Sequence, residues 1–289
     1  MNIFGWFYTN ILYLPILNVL IAIYHVLTFL HLANALGLAI ILLTVVIRII
    51  VYPLTGAQLR TSQKMQKLTP HLNKLKEKHK DDAKTLQAET MKLYKEHGVN
   101  PAAGCLPALI QLPVIWGLYG VLQHVVNTNP VKLLGEINKV VYLPALKLTT
   151  PINTHFFGLP LGVAPSKLLG TVGVLILLFP IVTGLLQFLQ SKMMFQVFEE
   201  KLQAVEKDAK KTKEKALIKE VKKEDDFSSA MQTQSMYILP IMIGFFSWSL
   251  PLGLSLYWNT FTIFGIIQQY EISRNWGGLQ PWINRLRGK

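Results

Sequence analysis

Leu38-Ala39-Ile40-Ile41-Leu42-Leu43-Thr44-Val45-Val46-Ile47-Arg48-Ile49-Ile50-Val51-Tyr52-Pro53-Leu54 is an apolar run holding one permanent charge, Arg48. With the residues just before it, it approaches the length a bilayer-spanning helix needs, about 20 mostly apolar residues. The spacing predicts a first transmembrane span over residues 36–54, stopped by Pro53. Upstream, the first 47 residues contain no Asp, Glu, Lys or Arg. Of the 29 basic and 16 acidic residues in the chain, Arg48 alone sits inside an apolar run. The rest fall in blocks between such runs. With 51% hydrophobic and 16% charged residues over 289 positions, against about 25% charged in ordinary soluble domains, the pattern is that of a lipid-embedded chain.

Working outward, residues 1–34 form an apolar N-terminal segment interrupted by Pro15. Asn18, His25 and Thr28 recur at helical spacing, and no basic residues precede the apolar core. That composition favours a helix lying in the membrane interface over a cleavable signal. Downstream, residues 55–100 are charged and helical in pattern. Met65, Leu68, Leu72 and Leu75 make one stripe; Ala83, Leu86, Thr90 and Leu93 make another. The polar turn Lys80-Asp81-Asp82 joins them, so the segment reads as an antiparallel helical hairpin. Gly98 suits its stop, and Asn100-Pro101 suits the start of the next helix. Further spans are expected at 102–126, 168–190, 234–250 and 254–270, which makes the chain an all-α membrane protein with five transmembrane helices in a core over 35–275. Prolines 107, 113 and 180 fall inside these spans, where neighbouring helices satisfy the freed carbonyls. Residues 127–167 read as a mixed loop, 191–230 as a charged loop with a helical extension, and 276–289 as a short basic tail. The last two spans are about 17 residues each, near the short limit, which implies local bilayer thinning.

The basic residues orient the spans. Ten Lys or Arg lie in 55–100, ten in 191–230 and four after Tyr270, against four in 127–167. Positive-inside bias puts both charged loops and the C-terminus in the cytoplasm and the N-terminal segment outside. The net charge of +13 then reports topology and attraction to anionic phospholipid rather than a specific nucleic-acid sequence. A single cysteine, Cys105, excludes an intramolecular disulfide and a Cys-rich zinc site; it reads as a small packing residue.

No nucleophile–base pair, paired aspartates, zinc motif or phosphate loop is visible in the sequence. The chain is therefore expected to be no enzyme, with no catalytic residues, metal or cofactor. The informative residues are polar ones inside spans. Thr44 and Arg48 share a face; Thr183, Gln187 and Gln190 follow i, i+4, i+7; Ser255, Asn259 and Thr262 repeat that spacing beside Trp258. Such stripes face one another or water, because lipid disfavours them. Two readings of each stay open. Thr and Gln stripes also serve simply to join helices, and Arg48, six residues before Leu54, could snorkel to the interface as an anchor.

The run 38–54, the run Asn100-Pro101-Ala102-Ala103-Gly104-Cys105-Leu106-Pro107-Ala108-Leu109-Ile110-Gln111-Leu112-Pro113, and Pro251-Leu252-Gly253-Leu254-Ser255-Leu256-Tyr257-Trp258-Asn259 closely resemble, in order and spacing, the conserved spans of YidC-type insertases (the Oxa/Alb/YidC superfamily). The likeness covers about residues 10 to 275. It implies that the five helices form a groove open to cytoplasm and lipid and closed outside, through which newly made membrane proteins are inserted and helped to fold. Arg48 matches the family's groove arginine, Thr44 its upstream threonine, and Tyr257-Trp258 its aromatic pair. Gln187 and Gln190 correspond loosely to a polar position of the third span, and Asn259 completes the substrate-binding set. The large periplasmic domain of the long forms and a lipoprotein-type cysteine are missing, so a compact bacterial form in the plasma membrane is expected. Its partners would be nascent membrane proteins and the bilayer, with the ribosome and the Sec translocon as further candidates. Two rivals are a small-solute channel or transporter, which calls for inverted repeats not visible between the halves, and a passive assembly scaffold, which needs no groove arginine.

Overall fold

The computed structural model describes residues 3–79, 82–99, 106–194, 234–274 and 276–286. Cys105, the Asn100-Pro101 cap and most of the charged loop lie outside them. The N-terminal segment is α1 (Ile3–Phe7), a π-helical stretch (Tyr8–Tyr13) and α2 (Leu14–Phe29). Then come α3 (Ala35–Lys78), α4 (Ala83–Glu96), α5 (Leu106–Asn127), α6 (Pro130–Val140), a two-residue β-hairpin (β1, His155–Phe156; β2, Leu159–Pro160) and α7 (Pro165–Val172). The remainder is α8 (Leu178–Met194), a π turn (Gln234–Ile238) running into α9 (Leu239–Ser249), α10 (Leu252–Ser273) and α11 (Gln280–Leu286). Packing divides the chain into two units, one of Met1–Ile50, Gln111–Ser191 and Met231–Ile266, the other of Val51–Ile110, Lys192–Ala230 and Ile267–Lys289.

The first unit buries a set of polar side chains within an otherwise apolar core and turns further apolar side chains outward. Thr44, Arg48, Thr183, Ser247, Ser255 and Thr262 are buried, while Ile49, Ile50, Ile181, Leu185, Ile241 and Phe245 point outward. Water would punish that arrangement; lipid favours it. Among the described residues, Gly5–Phe29, Ala35–Thr61 and Val174–Met193 are long and apolar enough to cross a membrane, and Leu112–Val126 and Met236–Ser249 are shorter apolar helices. The protein is an all-helical membrane protein.

Contacts fix the directions of several helices. Ile40 lies against Gly253 and Arg48 donates to the Phe261 carbonyl, so α3 and α10 run parallel. Gln187 accepts from the Trp258 indole at 3.3 Å and Gln190 lies against Gly265, so α8 parallels α10. Against α9, Gly184 meets Pro240 and Gly244, Phe188 meets Tyr237, and Thr183 meets Ser247. This pair is antiparallel. The mutual approach of Gly184 and Gly244 is close: a Cβ on Gly244 would lie 3.2 Å from the Pro180 carbonyl, the small-residue packing that brings membrane helices together. At one end of the unit, Gly253 and Leu252 donate backbone hydrogen bonds to Leu161 and Val163 at 2.8 and 3.1 Å. The α9–α10 turn is thereby docked on the 127–167 segment.

The N-terminal segment packs first on α5, where Tyr8 donates to the Trp116 carbonyl at 3.3 Å and Leu12 and Ile16 lie against Gly117, and then on the 127–167 region. Tyr13 bonds His124; the Asn18 amide donates to Val140 at 3.2 Å and its oxygen accepts from Tyr142 at 2.7 Å. Tyr24 accepts from Asn153 at 3.3 Å and Asn34 from Phe157 at 2.6 Å. Leu17, Leu20, Ile21 and Tyr24 are buried in the core.

Four boundaries differ from the sequence reading. Pro53 does not stop the first helix: α3 continues through it for 44 residues, so the first span and the first arm of the hairpin are one helix. Within the second unit, the Thr55 hydroxyl donates to the Val51 and Tyr52 carbonyls at 3.2 and 3.1 Å. Gln268 Nε2 donates to Tyr52 O at 3.0 Å and Thr55 Oγ1 at 2.6 Å. The carbonyl that Pro53 leaves without a helical donor is that of Ile49; these bonds instead tie the turn around the proline to α10. The 168–190 expectation is broken at Gly173, whose φ of 76° ends α7, and the apolar run restarts at Val174. The helix α10 has 22 residues, more than the 17 expected, so the thinning argument rests on α9 and its π turn alone. The 127–167 loop contains α6, begun by Asn129, whose side chain accepts from the Val131 amide at 3.0 Å, with Pro130 next.

In the second unit the hairpin is antiparallel as expected. The rings of His71 and His97 are 6.2 Å apart. Asp82 caps α4, accepting from the Thr85 amide at 3.0 Å; that bond and the Thr85 hydroxyl hold its carboxyl below the ordinary carboxylate range. Gly98, at φ 60°, follows the last turn.

Candidate functional site

The site grows from one buried charge. Arg48 is 4% exposed, carried by α3 into the interior of the first unit. Its guanidinium donates through Nη2 to the Phe261 carbonyl and lies 3.4 Å over the Phe261 ring, with Phe264 at 5.9 Å. Burying a permanent charge is expensive unless it is paired, yet the ion pairs among the described residues (His124–Glu136, Lys132–Glu136 and Arg274–Glu271) leave Arg48 without a carboxylate. Its Nε finds no hydrogen-bond acceptor there either, and neither Asn259 Oδ1 nor Thr262 Oγ1 finds a partner. Cation–π contact and one charge-assisted bond offset part of the cost.

Gly265 makes the arrangement fit. A Cβ at that position would lie 2.4 Å from Gln190 Nε2 and 2.7 Å from Arg48 Nη2, so two polar head groups share the space that glycine leaves on α10. A turn or two along, Trp258 donates to Gln187 at 3.3 Å. Further on, Thr183, Ser247 and Ser255 form a buried hydroxyl chain at 3.2 and 2.9 Å. A cavity of about 100 Å³ lies beside them, lined by Thr183, Ser247, Ser255 and Trp258 with Ile243, Phe246, Leu250 and Leu254, and its surface is almost wholly apolar.

The structure brings most of the expected residues together. Arg48 and Gln190 meet at Gly265, and Gln187 meets Trp258. Tyr257 is buried at 1% exposure with its ring 5.8 Å from Phe261. Thr44 is buried but bonds its own helix, donating to the Ile40 carbonyl at 2.6 Å, which is the structural rather than the ligand-facing use of a threonine. Phe261, Gly265 and Ser247 were not singled out from sequence. Phe261, Gly265 and Gln268 do stand at i, i+4 and i+7, and a glycine inside an apolar helix is the signal that marks close approach.

A bundle with apolar side chains turned outward and a cluster of buried polar ones, built around an arginine that meets no carboxylate among the described residues, defines a polytopic membrane protein with an internal polar cluster. A family model described as 60Kd inner membrane protein matches residues 28–277. "Membrane protein insertase YidC" of Fusobacterium nucleatum is 31% identical over 238 residues, 82% of this chain and 86% of the relative. The protein of that name from Rickettsia rickettsii (strain Sheila Smith) is 31% identical over 271 residues, 94% of this chain and 40% of the relative. That of Maridesulfovibrio salexigens is 30% identical over 274 residues, 94% and 39%. The chain belongs to the 60Kd inner membrane protein family.

Proposed function

We propose that the chain is a membrane protein insertase of the bacterial inner membrane, acting on nascent membrane proteins through a polar groove whose positive centre is Arg48. The observation that carries the mechanism is the buried guanidinium with no carboxylate among the described residues, sharing the Gly265 space with Gln190, with Gln187–Trp258 and then the Thr183–Ser247–Ser255 hydroxyls further along α10. A charge at mid-bilayer costs on the order of 2.5–3.5 kcal/mol on insertion scales. An acidic stretch of a crossing polypeptide would recover part of that cost by pairing with Arg48, whose charge is permanent. Asn259, whose Oδ1 finds no partner among the described residues, belongs to the groove wall, and the buried Tyr257 and Thr44 pack behind it. The mechanism has no chemical step: the polar stretch crosses along the groove and the hydrophobic stretch leaves sideways into lipid.

The five-span arrangement belongs to this reading. Shared direction in α3, α8 and α10, opposed by α9, is what alternating crossings require of the first, third, fifth and fourth spans. Docking of the α9–α10 turn on Leu161 and Val163 supports closure at that end, and the basic blocks support a cytoplasmic opposite end. By length alone Gly5–Phe29 is a span candidate. Its contacts from Asn18 to Asn34 with residues 140–157 support a helix lying along the outer end over that stretch, with residues 8–16 laid on α5. The hairpin would receive the nascent segment, with the ribosome and the Sec translocon as partners upstream.

The test is insertion by the purified chain in proteoliposomes. A newly synthesised substrate with one span and a short acidic outer segment should become protease-protected well above the level in empty liposomes. Protection equal to empty liposomes would leave a scaffold role, and leakage of small solutes without insertion would favour a channel.

A further inference from the structure

The helix α10 ends at Ser273 and the chain turns back through Arg274, at φ 51°. Trp276 stacks on Tyr270 with centroids 4.5 Å apart. The next two residues lie on the last turn of α8. A Cβ on Gly277 would be 2.1 Å from the Met193 carbonyl oxygen, and one on Gly278 would be 2.6 Å from that of Lys192. Gly277 also sits at φ 62°, so both space and backbone conformation demand glycine there. Leu279 is buried, and Lys192 Nζ lies 3.6 Å over the Trp282 ring.

This docking fixes a depth. Met193 closes the apolar run Val174–Met193, and Ser273 closes the helix that carries the site. A segment laid from the end of one onto the end of the other lies where these helices leave the hydrocarbon, at the headgroups. There α11 turns outward Trp282, 45% exposed, and Leu286, one turn later and 87% exposed, with Arg285 between them on the exposed side. Residues 275–289 carry Arg285, Arg287 and Lys289 and no acidic residue. Trp at the headgroup level, an apolar side chain toward the acyl chains and basic side chains toward phosphate are the features of an interfacial helix. Nucleic acid would answer the charge but offer nothing to Leu286.

We propose that the segment 276–286 is a membrane anchor, seated by Gly277-Gly278 on the end of α8 and bound to the anionic phospholipid surface through Trp282, Arg285 and Leu286, with the basic charge of the residues that follow in sequence adding to the attraction. It follows from the chain's being a membrane protein and does not depend on the insertase mechanism.

The test uses the full chain in nanodiscs of phosphatidylcholine alone or with phosphatidylglycerol. A fluorophore sensitive to polarity is attached at Leu286→Cys in a Cys105→Ser background, and quenching by lipids carrying a headgroup-depth nitroxide is read. Anionic lipid should raise the quenched fraction several-fold and blue-shift the emission, and salt should reverse much of the gain. The combined Arg285→Gln, Arg287→Gln and Lys289→Gln variant should lose that gain, since each basic residue near an anionic surface is worth about 1 kcal/mol. These residues are no part of the Arg48 site, so insertion remains as a check that the protein is folded. Gly277→Ala should lower quenching in both lipids by unseating the segment. A water-like emission unaffected by lipid composition overturns the proposal. So does a label that answers only to added ribosomal RNA, which would make nucleic acid the partner.

Discussion

Replacing Gly265 with alanine adds one methyl group at the point where Arg48 and Gln190 meet. It would lie 2.4 Å from Gln190 Nε2 and 2.7 Å from Arg48 Nη2, both inside any tolerable separation. The obstructing atoms are the ends of flexible side chains, so the backbone has no need to move and the two head groups swing away. Losing the charge-assisted bond from Arg48 to Phe261 costs about 1.5–3 kcal/mol. Alanine in place of glycine inside α10 returns about 0.8–1 kcal/mol of helix propensity. The net destabilisation is therefore about 0.5–2 kcal/mol, too little to unfold the bundle. If insertion draws on the same placed charge, the rate for a substrate with an acidic crossing segment should fall roughly twofold to thirtyfold, since 1.4 kcal/mol is a factor of ten. Proteoliposome insertion measured beside thermal unfolding in detergent separates the two effects. Wild-type insertion by Gly265→Ala would refute the reasoning. Loss of insertion only in step with a collapse in unfolding temperature would reduce the glycine to a packing residue.

Gln268→Leu removes the donor to Tyr52 O and Thr55 Oγ1. It should destabilise the α3 segment around Pro53 by about 1–3 kcal/mol, seen as faster amide exchange over residues 52–60; unchanged exchange would mean that Thr55 alone satisfies the proline's neighbours. Single cysteines at Lys74 and Lys139, both exposed, should react with membrane-impermeant reagents from opposite sides in a Cys105→Ser background; labelling from one side overturns the alternating topology. In the hairpin, Gly56, Leu68 and Val99 are buried, while Arg60, Lys74, Lys78, Ala83, Gln87, Ala88 and Met91 are exposed, and the stability of such a helix pair rests on its packing. Residues 60–95 should exchange much faster than 38–52 and 255–268 in the empty protein and slow when a nascent substrate binds; equal protection would show a rigid hairpin.

The stretch 38–54 made the membrane class legible because charge is so costly in lipid that its spacing records the spans. Pro53 misled for a related reason. The rule that proline ends a helix is a rule of water-exposed chains, whereas prolines are tolerated inside membrane helices, and here Thr55 and Gln268, more than 200 positions apart, add bonds at the Val51 and Tyr52 carbonyls beside it. The helix α6 was missed although Asn129-Pro130 carries the same cap-and-proline signature read at Asn100-Pro101; a short amphipathic helix in a Pro- and Thr-rich segment has little periodicity to add to it. The stripes Thr183-Gln187-Gln190 and Ser255-Asn259-Thr262 were readable from helical spacing alone. What they meet was not: Phe261 and Gly265 look like ordinary apolar positions until α3 and α8 are brought against α10.

The central claim is that Arg48 serves as a positive site for polypeptide in transit, and one comparison tests it most directly. Wild type, Arg48→Lys and Arg48→Ala, reconstituted at equal density, are assayed for insertion of a substrate whose outer segment is acidic and of the same substrate with that segment neutralised. The account predicts a large loss for Arg48→Ala with the acidic substrate, much of it restored by Arg48→Lys, and a smaller loss with the neutral one. Full insertion of the acidic substrate by Arg48→Ala would contradict it.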